Sequence, residues 1–342
     1  MNRVNEKFNL GKLKHDFLAQ LLSNIEIKDN RVIMGSKIGE DAAVIDIPGP
    51  NYLVAKTDPI TFATDEIGYY AVVVNVNDLV CTGAKPKWFQ STILLPENIT
   101  TSKVVENIFK SIHDTCKSME ITVVGGHTEV TPGLDRPIIV GSLIGEVEKK
   151  KLVLTSGAKP GDALILTKGI FIEGTSIIGR EKENELINKK FSHDFIKKCK
   201  DYLYNPGISV FNEALLVNNH FKIKSIHDPT EGGVYTGVAE MTIASNTGVE
   251  IEEEKVLILP ESKILSEIFH LNPYNTLSSG SLLIAVNQKD SSDLIELLRN
   301  NEVFAEQIGK FTPKDKGLVV KKEDGRKETL KYTETDEITK LF

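Results

Sequence analysis

The sequence predicts a two-domain α/β protein with α+β character, and three observations carry that expectation. The chain has 342 residues, 40% of them hydrophobic, enough to fill more than one core. Strand-like and helix-like stretches follow one another along most of its length. Around Val147 to Lys159 the run "EKKKLVLTSGAKPGD" raises the charge and adds the turn residues Gly157, Pro160 and Gly161, which places a domain boundary there. The expected units are residues 1–150, residues 155–320 and a charged tail, residues 321–342.

In chain order, "RVIMG", "AAVIDI" and "NYLVAKTD" read as short strands bounded by Gly, Pro and Asn. Glu66 to Cys81 is ambiguous: its Val-rich centre suits a strand, but its length and the following Gly83 favour a helix, which is the reading adopted. On that helix Val74 and Asp78 share a face, as do Asn77 and Cys81. Thr101 to Met119 is a second helix, capped by Thr or Ser, with Val104, Val105, Ile108, Phe109 and Ile112 at helical spacing. "ITVVGGHTEVTPG" reads as a strand entering a glycine-rich loop, and "RPIIVGSLIGEV" as a strand pair. In the second half, "DALILTKG" is a strand, with helices around Glu173–Gly179, His193–Tyr202 and Gly207–Asn218. "KIKSIHDPTEGGVYTGVAEMTIAS" predicts a strand, a polar loop at its carboxyl end and a long helix, a place where ligands collect. "SGSLLIAV", "DSSDLIELLRN" and "VFAEQIGKF" add a strand, a helix and a strand, and Thr312 to Phe342 is expected to be a short hairpin and tail.

Composition narrows the function. A formal charge of −7 gives no general attraction to nucleic acid or anionic lipid. No run approaches a membrane span, and the start "MNRVNEKFNL" lacks the apolar core of a signal peptide, so a cytoplasmic protein is expected. Cys81, Cys116 and Cys199 are odd in number, far apart and without zinc spacing, and read as buried, reduced thiols.

Acids and glycines recur at the expected strand ends: "GEDAAV", "KTDPI", "VNDLV" with "TGAKP", "GGHTEVTPG" and "HDPTEGG". Glu40 and Asp41 after Gly39 fit either a solvated turn or carboxylates that hold the cation of a large anionic ligand. Asp58 alone is a turn acid before Pro59, and Asp78 alone a helix-face acid. Together with glycines that let backbone amides approach phosphate oxygens, they resemble a site for a magnesium nucleotide.

The order "GEDAAV", "TDP", "VNDLVCTGAKP", "GGHTEVTPG", "KPGDALILTKG", "HDPTEGG", "SSGSLLIAV" resembles the superfamily of aminoimidazole ribonucleotide synthetase, thiamine-monophosphate kinase, selenophosphate synthetase and hydrogenase maturation factor HypE. The likeness spans roughly residues 10 to 310 and is greatest to the HypE branch. It implies an AIR synthase-like fold of two α/β domains, the N-terminal sheet joining a homodimer barrel through strands around Ala42–Ile47 and Ile138–Gly145, with ATP in a nearby cleft. Asp41, Asp58 and Asp78 then resemble the acids that hold Mg2+ and phosphates, with Asn77 beside Asp78. Gly125, Gly126 and Thr128 resemble the nucleotide loop, and Asp228 the second-domain acid that completes the metal site. Lys56 and Lys168 flank these motifs, as phosphate partners or solvated lysines.

The likeness also has departures. HypE enzymes carry their substrate on a C-terminal cysteine, whereas this sequence ends "DEITKLF" and its last cysteine is Cys199, which counts against that reaction. His127 stands where HypE relatives show an acid, and reads either as a catalytic group or as a loop histidine bonded to backbone. Glu231 stands where they often show arginine, and also fits a first-turn helix acid. His227, beside Asp228, fits packing or phosphate donation. The resulting expectation is a Mg2+- and ATP-dependent homodimeric enzyme, related to hydrogenase maturation, that phosphorylates an oxygen of a small-molecule or protein-borne acceptor. A thiamine-monophosphate-type kinase and a non-catalytic ATP-binding maturation or regulatory protein are the alternatives.

Overall fold

The structure, a computed structural model, describes residues 13, 15–37, 39–61, 63, 65–333 and 335–342. The first twelve residues of the expected N-terminal unit, including all of the polar start "MNRVNEKFNL", lie outside the described residues. Two mixed sheets organise the chain. The first contains β1 (Val32–Met34), β2 (Ala43–Asp46), β3 (Asn51–Ile60), β4 (Lys85–Pro96), β5 (Thr122–Thr131) and β6 (Ile138–Glu148), in the order β1-β2-β3-β6-β4-β5. Its neighbours are antiparallel except β4 and β5. Helices α1 (His15–Leu22), α2 (Ile67–Cys81) and α3 (Ser102–Ser118) accompany it.

The second sheet contains β7 (Asp162–Thr167), β8 (Ser225–His227), β9 (Gly248–Glu252), β10 (Leu283–Asn287), β11 (Ala305–Thr312), β12 (Leu318–Lys321) and β13 (Lys327–Thr329). Their order is β13-β12-β9-β11-β7-β10-β8, with only the β9–β12 pair parallel. Around it lie α4 (Ile172–Glu181), α5 (Glu183–Asn188), α6 (His193–Asp201), α7 (Phe211–His220), α8 (Gly233–Ser245), α9 (Pro260–Ile268) and α10 (Ser291–Asn300). The result is a two-domain α/β fold of the expected class.

Helix α2 explains why its sequence looked strand-like. All of its residues except Tyr69 and Val74 are buried, and a helix buried on every side has no polar face to show a helical period. One continuous core runs from Val44, Val54 and Leu79 to Val217 and Ile284, so α2 joins the two halves. Helix α3 is amphipathic as expected and Thr101 caps it, its hydroxyl accepting from Val104 N at 3.4 Å. Ile108 and Ile112 face the core, but Val104 and Phe109 are exposed.

Two sequence expectations in this region are corrected. "RPIIVGSLIGEV" forms the single strand β6, because its alternating pattern fits one strand with a buried face between β3 and β4. "ITVVGGHTEV" is a strand and no loop: β5 pairs with β4 from Thr122 to Thr131, with one register shift that skips Val124. Gly126 is required there because a Cβ would stand 2.2 Å from Ser91 O on the neighbouring strand. In the expected tail, β13 completes a hairpin with β12, and Leu330, Asp336 and Ile338 are buried.

Candidate active site

Lys56 and Asp58 are two residues apart on β3 and so share one face of the sheet. Asp78 reaches the same place from α2. Lys56 Nζ stands 2.7 Å from Asp78 Oδ2 and 3.2 Å from Asp58 Oδ2. Asn75, one turn before Asp78, helps fix the strand by donating from Nδ2 to Asp58 O at 3.4 Å. From the other half come His227, the last residue of β8, and Asp228 directly after it. His227 Nδ1 is 2.8 Å from Asp41 Oδ2, and Nε2 is 2.9 Å from Glu240 Oε2 on α8. An oxygen of Asp41, an oxygen of Asp228 and a ring nitrogen of His227 lie within 4.8 Å of one another.

Glu40 and Asp41 face different ways, and Glu40 takes neither of the roles that their sequence left open. The Glu40 carboxylate accepts from the backbone N–H groups of Thr155 and Ser156, both at 3.1 Å, and so fastens the start of the second half. Asp41 turns into the site.

Burial dominates the electrostatics. It raises the Asp78 carboxyl to about 6, with Lys56 opposing and Asp41 and Asp58 adding to the rise. Burial likewise lifts Asp228 well above the usual carboxylate range, reinforced by Asp78 and Asp41. For Lys56 burial works against the charge, yet the three aspartates outweigh it and raise its pKa. Burial also opposes the charged His227 ring, and Asp41 and Glu240 outweigh it in turn. Asp228 Oδ1 receives the Cys81 thiol at 3.6 Å, while Oδ2 is buried with no hydrogen-bond partner among the described residues. An orphaned carboxylate oxygen among other carboxylates fits a hard divalent cation, which takes oxygen ligands.

A cleft of about 360 Å³ opens over Asp41, Lys56, Asp58 and Asp78. Its lining also includes the apolar Ile177, Leu277 and Ile338, the ring of Tyr70, and the acids Glu173, Glu231 and Asp336. Burial raises Glu173 to about 7 and Asp336 to about 6.

Several expected site residues do not join this group. Gly125, Gly126, His127 and Thr128 lie on exposed β5. Asp58 pairs with Gly141, Gly141 with Ser91, and Ser91 with Gly126, so three strand spacings, roughly 14 Å, separate Asp58 from Gly126. His127 Nε2 meets Glu129 Oε2 at 3.1 Å on the exposed strand. Asn77 is engaged elsewhere, donating to Ile208 O at 2.8 Å and accepting from Val210 N at 2.9 Å. Lys168 is neither solvated nor in the cleft: its ammonium is 2.6 Å from Glu213 and donates to Ser209 O. His227 is a clamp between carboxylates. All three cysteines are buried thiols, as expected.

Glu173, Glu240 and Asp336 were missed. Glu173 and Glu240 had a readable signal, a single acid inside the apolar runs "GIFIEGTSIIG" and "GVAEMTIA", where an unpaired charge is costly. Asp336 had none, because its burial depends on the loop at Gly232, whose N–H its carboxylate accepts at 2.6 Å.

Residues 39–147 match the family described as AIR synthase related protein, N-terminal domain, and residues 159–322 match its C-terminal domain. A hydrogenase expression/formation protein of Methanocaldococcus jannaschii is 31% identical over 326 residues, 93% of each chain. A thiamine-monophosphate kinase of Buchnera aphidicola is 26% identical over 316 residues, 89% of this chain and 92% of its own. Among solved structures, the hydrogenase maturation protein HypE in complex with ATP superposes with a TM-score of 0.68 at 21% identity, covering 93% of this chain and 95% of that one. No helix among the described residues is long and apolar enough to cross a membrane.

Proposed function

Because this chain belongs to the AIR synthase related family of enzymes, we propose that its cleft binds ATP with Mg2+ and transfers the γ-phosphoryl group to an oxygen of an acceptor. The observation that carries this reading is the meeting of Asp41, Asp58, Asp78 and Asp228 around one lysine, with Asp228 Oδ2 left unpartnered. Carboxylates alone repel a triphosphate; a divalent cation between carboxylate and phosphate oxygens reverses that sign. The ion would be held by Asp41 and Asp228, with Asp58 and Asp78 nearby, and would neutralise charge on the phosphates. Lys56 stays protonated beside Asp78 and offers its ammonium to a phosphate oxygen. Helix α2 and strand β3 keep these groups fixed, which suits a transfer that depends on positioning and charge stabilisation more than on a side-chain nucleophile.

The acceptor occupies the part of the cleft lined by Glu173 and Glu231. The fully buried Cys81, Cys116 and Cys199 are unsuited to carrying a substrate between sites, which favours an acceptor that is not bound to a thiol of this chain. The ATP and Mg2+ parts of the reading are tested by calorimetry with AMPPCP, with Mg2+ or with chelator. Binding that needs Mg2+ is expected, and equal affinity in both would overturn it. Transfer itself is read as ADP release from Mg-ATP that is lost in Asp228→Asn.

A further inference from the structure

His227 looks at first like a third metal ligand, since its ring lies within reach of the same point as Asp41 and Asp228. Its hydrogen bonds say otherwise. Nδ1 faces Asp41 Oδ2 at 2.8 Å and Nε2 faces Glu240 Oε2 at 2.9 Å. Each ring nitrogen is thus engaged by a carboxylate oxygen at hydrogen-bond distance, so binding a metal through either nitrogen would break that contact. The side chains of His227, Glu240 and Asp41 are 5%, 11% and 20% exposed, so little water competes for these bonds.

The connection also has a direction. Asp41 lies in the segment before β2, whereas His227 and Glu240 belong to the other sheet and to α8. Gly39, two residues before Asp41, packs against the same helix: a Cβ there would meet Glu240 O at 3.1 Å and Ala244 Cβ at 3.2 Å. The Asp41 segment is therefore seated on α8 by its backbone, and its carboxylate is aimed by the imidazole.

We infer that Glu240 is a positioning residue that acts through His227 to aim the Asp41 carboxylate, and that His227 itself does not coordinate the cation. The inference rests on the Mg-ATP reading above, and it makes the cation site one of carboxylate oxygens alone. Groups that orient a metal ligand from behind typically change metal affinity by roughly 10–100-fold when removed.

The test uses Mn2+ with AMPPCP on the full chain, counting free Mn2+ by electron paramagnetic resonance. Glu240→Ala should weaken Mn2+ binding at least about tenfold. Glu240→Gln, whose amide oxygen still accepts from Nε2, should restore most of it and also control for folding. Pulsed electron paramagnetic resonance of the wild-type complex should show no nitrogen coupling of a directly bound imidazole. An imidazole coupling, or equal Mn2+ affinity in Glu240→Ala and wild type, would overturn the inference while leaving the Mg-ATP reading standing. Wild-type protein that binds AMPPCP equally with and without Mn2+ would remove both.

Discussion

Lys56 Nζ lies 2.7 Å from Asp78 Oδ2, joining strand β3 to helix α2 inside the cleft. Both side chains are largely buried, 16% and 7% exposed, so the pair is held together where neither charge is well solvated. Removing one partner of such a pair leaves the other charge stranded.

Lys56→Met should therefore destabilise the unliganded protein by about 2–4 kcal/mol at pH 8. The loss should shrink on acidification. Asp78 already titrates near 6 with Lys56 beside it, and without the ammonium its pKa moves higher still, so protonation at pH 5.5 removes the stranded charge. Urea unfolding at the two pH values measures this, and an equal loss at both would show that Asp78 does not feel Lys56.

Glu40 and Asp41 are adjacent but should fail differently. Glu40→Ala takes away the acceptor of two backbone N–H groups and should cost about 1–3 kcal/mol of stability, with metal-dependent nucleotide binding retained. Asp41→Asn should fold but lose that binding, since an amide oxygen carries no charge for the cation. Thermal melts beside AMPPCP calorimetry separate the two, and the reverse pattern would exchange the roles assigned here.

How much of this was legible beforehand follows from the range of each interaction. Strands β1 to β3 and the capped helix α3 declare themselves locally, through turn residues, alternation and a cap. Asp58 and Asp228 stand out because each precedes a proline, and Asp41 because it follows Gly39 by two residues, whereas Asp78 has no such neighbour and stands out only within the order of motifs. What the residues alone could not convey is direction. Asn77 and Asp78 are neighbours on one helix, yet about 100° apart around it, so one bonds the backbone at Ile208 and Val210 while the other faces Lys56. The glycine pair has two readings: Gly125 and Gly126 look like a phosphate loop, but at Gly126 close approach to Ser91 demands glycine equally well, while a Cβ at Gly125 would meet nothing within 4 Å.

Glu173 provides a pH test. Burial raises its carboxyl from 4.5 to about 7, with Ser279 opposing and Asp336, Glu231 and Asp58 adding to the rise. The folded state thus holds this proton more tightly than the unfolded chain. Between pH 4.5 and 7 the unfolded state ionises first, so this group's contribution to stability falls as pH rises and levels off above 7. Glu173→Gln should remove that slope and stabilise the protein at pH 8 by on the order of 2 kcal/mol. Melting temperatures from pH 5 to 8 are the measurement, and parallel curves for variant and wild type would mean that Glu173 ionises normally.

The free edge of the first sheet gives the last prediction. Among the described residues, strand β5 pairs with β4 on one side only, at the end of the strand order. Its residues Thr122–Val130 are exposed on both faces, with Val123, Val124 and Val130 at 42%, 56% and 59%. A ten-residue exposed edge that carries three valines among polar residues and glycines, and that has no strand on its outer side among the described residues, is a template for another strand, and a second copy of the same edge satisfies it by two-fold symmetry. By contrast, the interior strand β6 has both edges taken by β3 and β4, so edge pairing cannot use it. The protein should be a dimer at micromolar concentration. Replacing Val124 and Val130 together with lysine should raise the dimer dissociation constant by about 100-fold, from about 1.5 kcal/mol of lost burial at each site. Sedimentation equilibrium over a concentration series reads this directly. A monomeric wild type would refute the dimer, and a dimer indifferent to both lysines would exclude β5 as its interface.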